Sequence, residues 1–172
     1  MLDIGIGYGD SLTTAAEVEP GVDLIGADVH TPGIASSLAR IEAMGLTNVR
    51  LLHGDALRFA DRLVPDSLHG IRIYFPDPWH KARHRNRRMA SPANIDRFAT
   101  LLADGGTLHV ATDIDDYARQ VERLCDDHPD LIGGVIGRPV WRPETRYERK
   151  GLDAGRTATD LLYHRVAADT LG

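Results

Sequence analysis

The sequence predicts an α/β fold on a mostly parallel sheet with helices on both faces, and three observations predict it. Short apolar runs of strand length alternate with stretches of helix length along the whole chain. A glycine-rich turn, Gly5-Ile6-Gly7-Tyr8-Gly9, follows the first apolar run directly. The 172 residues are 42% hydrophobic and 26% charged, a composition that supports a real core and disfavours disorder.

The elements follow in order. Residues 2–6 read as a first strand entering the glycine turn, 11–18 as a helix and 22–27 as a second strand. Pro32 suits a helix N-terminus, and that helix runs to Met44, where Gly45 stops it. A third strand spans 49–52 and a helix 56–63; the fourth strand spans 68–75, with Ile71, Ile73 and Phe75 alternating. Ser91-Pro92 caps a helix that reaches about Leu102 and ends at Gly105-Gly106, ahead of a fifth strand at 107–111. Thr112 with Asp115 three residues on has the form of a capping box, opening a helix to about Cys125. Residues 131–136 and 160–166 supply two further strands, making seven. Repeats, low-complexity segments and linkers are absent, so residues 1–172 read as one domain.

Several classes are disfavoured. One cysteine, Cys125, makes no internal disulfide, which points to a reducing, cytoplasmic setting. No apolar run approaches the ~18 residues of a membrane helix, and no basic-then-apolar opening marks a secretory leader, so no membrane partner is expected. The net charge of −5 hides an asymmetry: residues 1–76 hold five cations and ten anions, residues 77–172 fifteen of each. Residues 80–88 carry five cations and no carboxylate, which fits either a local polyanion contact or a solvated arginine-rich loop.

Gly5, Gly7 and Gly9 at alternate positions let the backbone turn tightly beneath a bound nucleoside. The spacing is not that of the dinucleotide fingerprint, and Asp10 would repel a phosphate. A cofactor with positive charge and no phosphate fits better, and S-adenosylmethionine is such a molecule. Asp28 ends the second strand about twenty residues on, placed to accept hydrogen bonds from a ribose, and Asp55 follows the third strand, placed to meet the adenine edge. Each acid alone serves as readily as a helix cap or a turn residue; together they favour a nucleoside site.

After the fourth strand comes Phe75-Pro76-Asp77-Pro78-Trp79-His80-Lys81. The two prolines restrict the backbone around Asp77, and Trp79 offers a face for a base to stack on. The chain has eighteen arginines but only two lysines, Lys81 and Lys150, both in segments assigned to substrate. His80 and His84 have no recognisable third ligand at metal-binding spacing, so no metal is expected.

From Asp3 to about Val166 the sequence resembles the tRNA (guanine-N7-)-methyltransferases, a class I S-adenosylmethionine-dependent family. The most specific match is the string from Phe75 to His84 with Arg87-Arg88 behind it; Ala111-Thr112-Asp113 is a second and Arg142 to Gly151 a third. The resemblance implies a Rossmann-like fold and transfer of a methyl group to N7 of a guanosine in the tRNA variable loop. It implies that Asp3, Asp28, Asp55 and Asp77 contact the cofactor with the three glycines. It further implies that Lys81, Asp113, Thr145, Arg146, Tyr147 and Glu148 contact the guanosine, with Asp77 catalytic. Arg83, Arg85, Arg87 and Arg88 are then expected on tRNA phosphates. Positions 3 and 28 carry aspartate where many relatives have glutamate, and relatives carry a segment ahead of the first strand that is expected to be missing here. Two alternatives remain: a non-catalytic RNA-binding protein on the same fold, or an amino-group methyltransferase, whose Asp/Asn-Pro-Pro-aromatic motif would place a second proline where Trp79 stands. The sequence leaves open whether the chain is a monomer or a homodimer.

Overall fold

In the computed structural model residues 1–166 are described, with Ala82 and Arg85 described by their backbone alone. The chain runs β1 (Leu2–Ile4), α1 (Asp10–Val18), β2 (Leu24–Asp28), α2 (Thr31–Met44), β3 (Val49–His53), α3 (Ala56–Ala60) and β4 (Leu68–Tyr74). A 3₁₀ segment (Ala82–Arg87) precedes α4 (Pro92–Leu101), β5 (Leu102–Thr112), α5 (Asp115–Asp126), β6 (Leu131–Ile136), α6 (Arg146–Asp153) and β7 (Thr159–Arg165). The described strands form one sheet in the order β3-β2-β1-β4-β5-β7-β6. Every neighbouring pair is parallel except those of β7, which runs antiparallel to both β5 and β6. The sheet is therefore mixed, and its order reverses between β1 and β4, where open α/β sheets place their ligands.

Period-two alternation sorts the side chains into two layers. Leu2 and Ile4 of β1, Ile71 and Ile73 of β4 and Leu108 and Val110 of β5 join Phe98 of α4 and Tyr117 and Val121 of α5 in one core. On the other face Leu24 of β2 packs with Ile6, with Leu12 and Ala16 of α1, and with Ile34 of α2. Along β1, β4, β5 and β7 this second face carries polar groups instead: Asp3, Arg72, Tyr74, His109 and Asp160. All five are buried.

The departures from the sequence expectation have local causes. β1 stops at Ile4 because Gly5 turns the chain at a φ of +77°. No break separates α4 from β5: the strand starts at Leu102, and Gly105-Gly106 lie in an irregularity where β5 spends five residues against two on β4, between the pairs Leu68↔Leu102 and Gly70↔Thr107. The capping box at Thr112 does not form. Thr112 is the last residue of β5, and its hydroxyl accepts from the Ile114 amide (3.3 Å) while Ile114 holds the N-cap position. Helix α6 was not expected at all. Among the described residues no helix is long and apolar enough to cross a membrane.

Gly9 brings α1 against α2, two helices on the same face of the sheet. It stands before α1 at a φ of +82°, and a Cβ there would meet the Ser37 hydroxyl of α2 and lie 2.9 Å from the Ser37 Cβ. Gly9→Ala is expected to destabilise the chain by about 2–4 kcal/mol, from left-handed strain plus overpacking. Thermal unfolding of Gly9→Ala and of Gly9→Ala with Ser37→Gly checks this: the second change recovers part of the loss, and no recovery leaves backbone strain alone responsible.

Candidate active site

Asp28 organises the glycine turn. Its Oδ2 accepts from the Gly7 amide and its Oδ1 from the His30 amide, each at 2.8 Å. His30 in turn caps α2, its Nδ1 accepting from the Gly33 amide at 3.2 Å. Gly33 lies so close to the Gly7 carbonyl that any Cβ would collide with it. One acid at the end of β2 thus fixes the turn to the start of α2. A carboxylate offers about four acceptor sites, so Asp28 retains capacity for ribose hydroxyls.

Beneath the turn lies a concavity lined by Asp3, Gly5, Gly7, Tyr8, Asp10, Ser11 and Tyr74, closed by Thr145, Arg146 and Tyr147. Asp3 is buried, and its Oδ2 has no hydrogen-bond partner among the described residues. Burial pushes its carboxyl up to about 6, against the pull of the Arg72 guanidinium. An orphaned acid acceptor in a closed concavity calls for a cationic donor, whereas Asp10 is already paired with Arg40 at 3.1 Å and Arg146 at 3.5 Å. Asp3 therefore fits the ammonium-bearing end of S-adenosylmethionine.

Helix α6 forms the cover. The Arg146 guanidinium lies 4.7 Å from the centre of the Tyr8 ring and its Nε 3.5 Å from Asp10. A Cβ on Gly7 would come within 3.3 Å of the Tyr147 ring. Thr145, Arg146 and Tyr147, expected at the guanosine, thus face the glycine turn. The signal for this helix was present as Thr145-x-x-Glu148: the Thr145 hydroxyl accepts from the Glu148 amide at 3.1 Å. Glu148 itself departs from expectation. Its side chain is 4% exposed, and both oxygens accept from Arg142, at 2.7 and 2.8 Å, so neither is presented to a base.

The fourth-strand segment forms a second, open concavity of Asp77, Pro78, Trp79, His80, Lys81 and His84. Asp77 is exposed, between two non-glycine residues of positive φ, Phe75 at +50° and Trp79 at +43°. Each such residue costs about 1–3 kcal/mol, and strain of this kind collects where geometry serves function. The Arg87 guanidinium lies 4.9 Å from the centre of the Trp79 ring, the ring expected to stack on a base. Arg83 donates to His84 at 3.1 Å. Arg88 overturns its expected role. Its side chain is fully buried, donating to the Pro78 carbonyl, Gln120 and Asp116 at 2.7–2.8 Å, so it ties the segment to α5 rather than meeting phosphate. The side chain of Arg85, the remaining expected contact, lies outside the described residues.

Asp55 accepts from the Leu57 and Arg58 amides as the N-cap of α3, at the end of β3. Asp113, at the end of β5, accepts from Arg156 at 2.7 Å and packs against Gly151 of α6. Among the described residues no group of three or more His, Cys, Asp or Glu side chains is arranged to hold a metal ion.

Residues 1–161 match a family described as "Putative methyltransferase". Over 96% of its length the chain is 43% identical to a tRNA (guanine-N(7)-)-methyltransferase of Xanthomonas oryzae pv. oryzae, covering 68% of that protein. The chain belongs to this methyltransferase family. A Streptomyces coelicolor relative of the same name is 42% identical over 96% of the chain and 64% of its own length, so the chain spans about two thirds of these relatives. A solved S-adenosylmethionine-dependent methyltransferase of Aquifex aeolicus matches with a TM-score of 0.63 over 96% of this chain and 81% of its own. At 13% identity that likeness shows the Rossmann-like class I methyltransferase fold.

The pH dependence of Asp3 follows in sign. Its carboxyl is raised from 3.8 to about 6, so the folded chain holds more protons than the unfolded one in that window. Its contribution to stability therefore falls as pH rises from 4 to 6, leaving a deficit of about 3 kcal/mol above that. Asp3→Asn is expected to melt higher than wild type at pH 7.5, with the gap closing near pH 4. Equal melting at both pH values would show that the Asp3 charge is already compensated in the ligand-free protein.

Proposed function

We propose that the chain transfers a methyl group from S-adenosylmethionine to N7 of a guanosine in the variable loop of tRNA. The observation that carries this reading is the unpartnered buried oxygen of Asp3 beneath the glycine turn, in a chain 43% identical to tRNA (guanine-N(7)-)-methyltransferases. Asp3 would hold the ammonium of the cofactor, Asp28 its ribose hydroxyls and Asp55 its adenine edge. The cofactor, when bound, supplies an electrophilic methyl group on a sulfonium.

Guanine N7 carries a lone pair and no hydrogen, so the chain need provide no base to expose the nucleophile. Its work is positioning and charge stabilisation. Asp77, on a strained turn at the end of β4, faces the positive charge that builds on the imidazole ring during transfer. Lys81 and Asp113 lie on the segments that follow β4 and β5, where the base would be held and its N1–H and amino group recognised. The exposed cations of the 3₁₀ segment would meet tRNA phosphates without reading sequence.

Asp77→Asn is expected to leave cofactor binding within about twofold and to slow methyl transfer at least ~tenfold. Turnover equal to wild type on the same tRNA makes Asp77 a turn residue only. Arg83→Ala with Arg87→Ala is expected to reduce the slope of log affinity for tRNA against log salt by about one to two, as fewer counterions are released. An unchanged slope assigns these arginines to a solvated surface.

A further inference from the structure

Arg142 holds two carboxylates that belong to different elements. Its Nη1 and Nη2 donate to Glu148 of α6 at 2.7 and 2.8 Å, and Nη2 and Nε lie 2.9 and 2.6 Å from the two oxygens of Asp160 on β7. The guanidinium is fully buried and sits 5.8 Å from the Tyr74 ring and 5.6 Å from the Phe75 ring, at the turn that leads to Asp77. Asp160 also binds His109 Nε2 at 2.8 Å, and His109 Nδ1 binds the Tyr74 hydroxyl at 2.7 Å.

The protonation states fix the direction of each bond in this chain; Arg142 Nε, though 2.6 Å from Asp160, makes no hydrogen bond of its own. Burial lowers the pKa of His109 despite the pull of Asp160, so the ring is neutral with one donor and one acceptor nitrogen. Burial raises the Tyr74 phenol far above its ordinary value. Tyr74 therefore donates to Nδ1, and Nε2–H donates to Asp160. Burial alone would lower the pKa of Arg142, but its bonds to Glu148 and Asp160 outweigh that and keep it charged.

Buried ion pairs are weak evidence for stability, because desolvation cancels much of their attraction. A planar fork bonded at both prongs does set distance and angle together. Tyr74 lines the cofactor concavity, Phe75 opens the Asp77 turn, and Glu148 lies in the first turn of the helix that covers the glycines. One guanidinium touches all three.

We propose that Arg142 is a positioning residue for methyl transfer: by clamping Glu148 to Asp160 beneath Tyr74 and Phe75, it seats the start of α6 over the glycine turn at a fixed distance from the loop carrying Asp77. The proposal rests on the function stated above. In it, Glu148 acts through α6 on the cofactor side and accepts nothing from guanine.

Arg142→Lys keeps the charge and removes the fork. Calorimetry with S-adenosylhomocysteine and steady-state methylation of tRNA, both well below the melting temperature, read the effect. Affinity for S-adenosylhomocysteine and kcat are each expected to fall about tenfold, with the KM for tRNA changing far less. The near-isosteric Glu148→Gln is expected to show the same pattern, and it decides the matter if Arg142→Lys does not fold. A loss of affinity below about threefold in a folded variant overturns the proposal. So does a defect of Glu148→Gln confined to the KM for tRNA, which would return Glu148 to the base. Wild-type protein that binds no S-adenosylhomocysteine overturns instead the function on which the proposal rests, and the proposal with it.

Discussion

Asp3 sits in the middle strand of the sheet, paired on one side with β2 and on the other with β4, with its side chain on the face that α1 and α2 partly cover. Its neighbours on that face are not apolar: Arg72 is its partner in the β4 register, and Tyr74 follows two residues on. A carboxyl buried with one oxygen unsatisfied disfavours the ligand-free protein. A positively charged donor placed against this oxygen would remove the penalty. The left-handed glycine turn, the Asp28 bonds that anchor it and the α6 cover all surround this one group.

Much of the fold was legible because the apolar alternation is strong. The strand at 131–136 matches the prediction, the others except β5, which begins five residues early, fall within two residues of it, and Gly45 ends α2 as read. The misses have physical reasons. Gly105-Gly106 looked like a helix stop, but a strand tolerates them where the register shifts. Thr112 and Asp115 had capping spacing, yet Thr112 was already committed to the β5 ladder opposite Thr159. The α6 region reads as almost wholly polar, so its periodicity was hidden; only its Thr145-x-x-Glu148 signal marked it.

The site was legible in kind more than in assignment. The acids at strand ends stand where expected, and Asp28 bonds the glycine turn directly. What sequence could not reveal is which charges face inward. Arg88 stands in a run of cations that looked uniformly exposed, yet it is buried against Asp116 and Gln120. Arg142 and Glu148, six residues apart, find each other across a turn that no spacing rule singles out. The arginines thus fall into two classes: Arg88 and Arg142, which are buried and build the scaffold, and exposed ones such as Arg83 and Arg87.

The central claim is that an ionised Asp3 receives a cationic cofactor. Calorimetric titration of the chain with S-adenosylmethionine at pH 7.5 and pH 5 tests it most directly. With the Asp3 carboxyl at about 6 in the ligand-free protein, binding at pH 5 must first expel a proton. The account predicts measurable binding at pH 7.5 and affinity about tenfold weaker at pH 5. Binding of equal strength at both pH values, or none at pH 7.5, would contradict it.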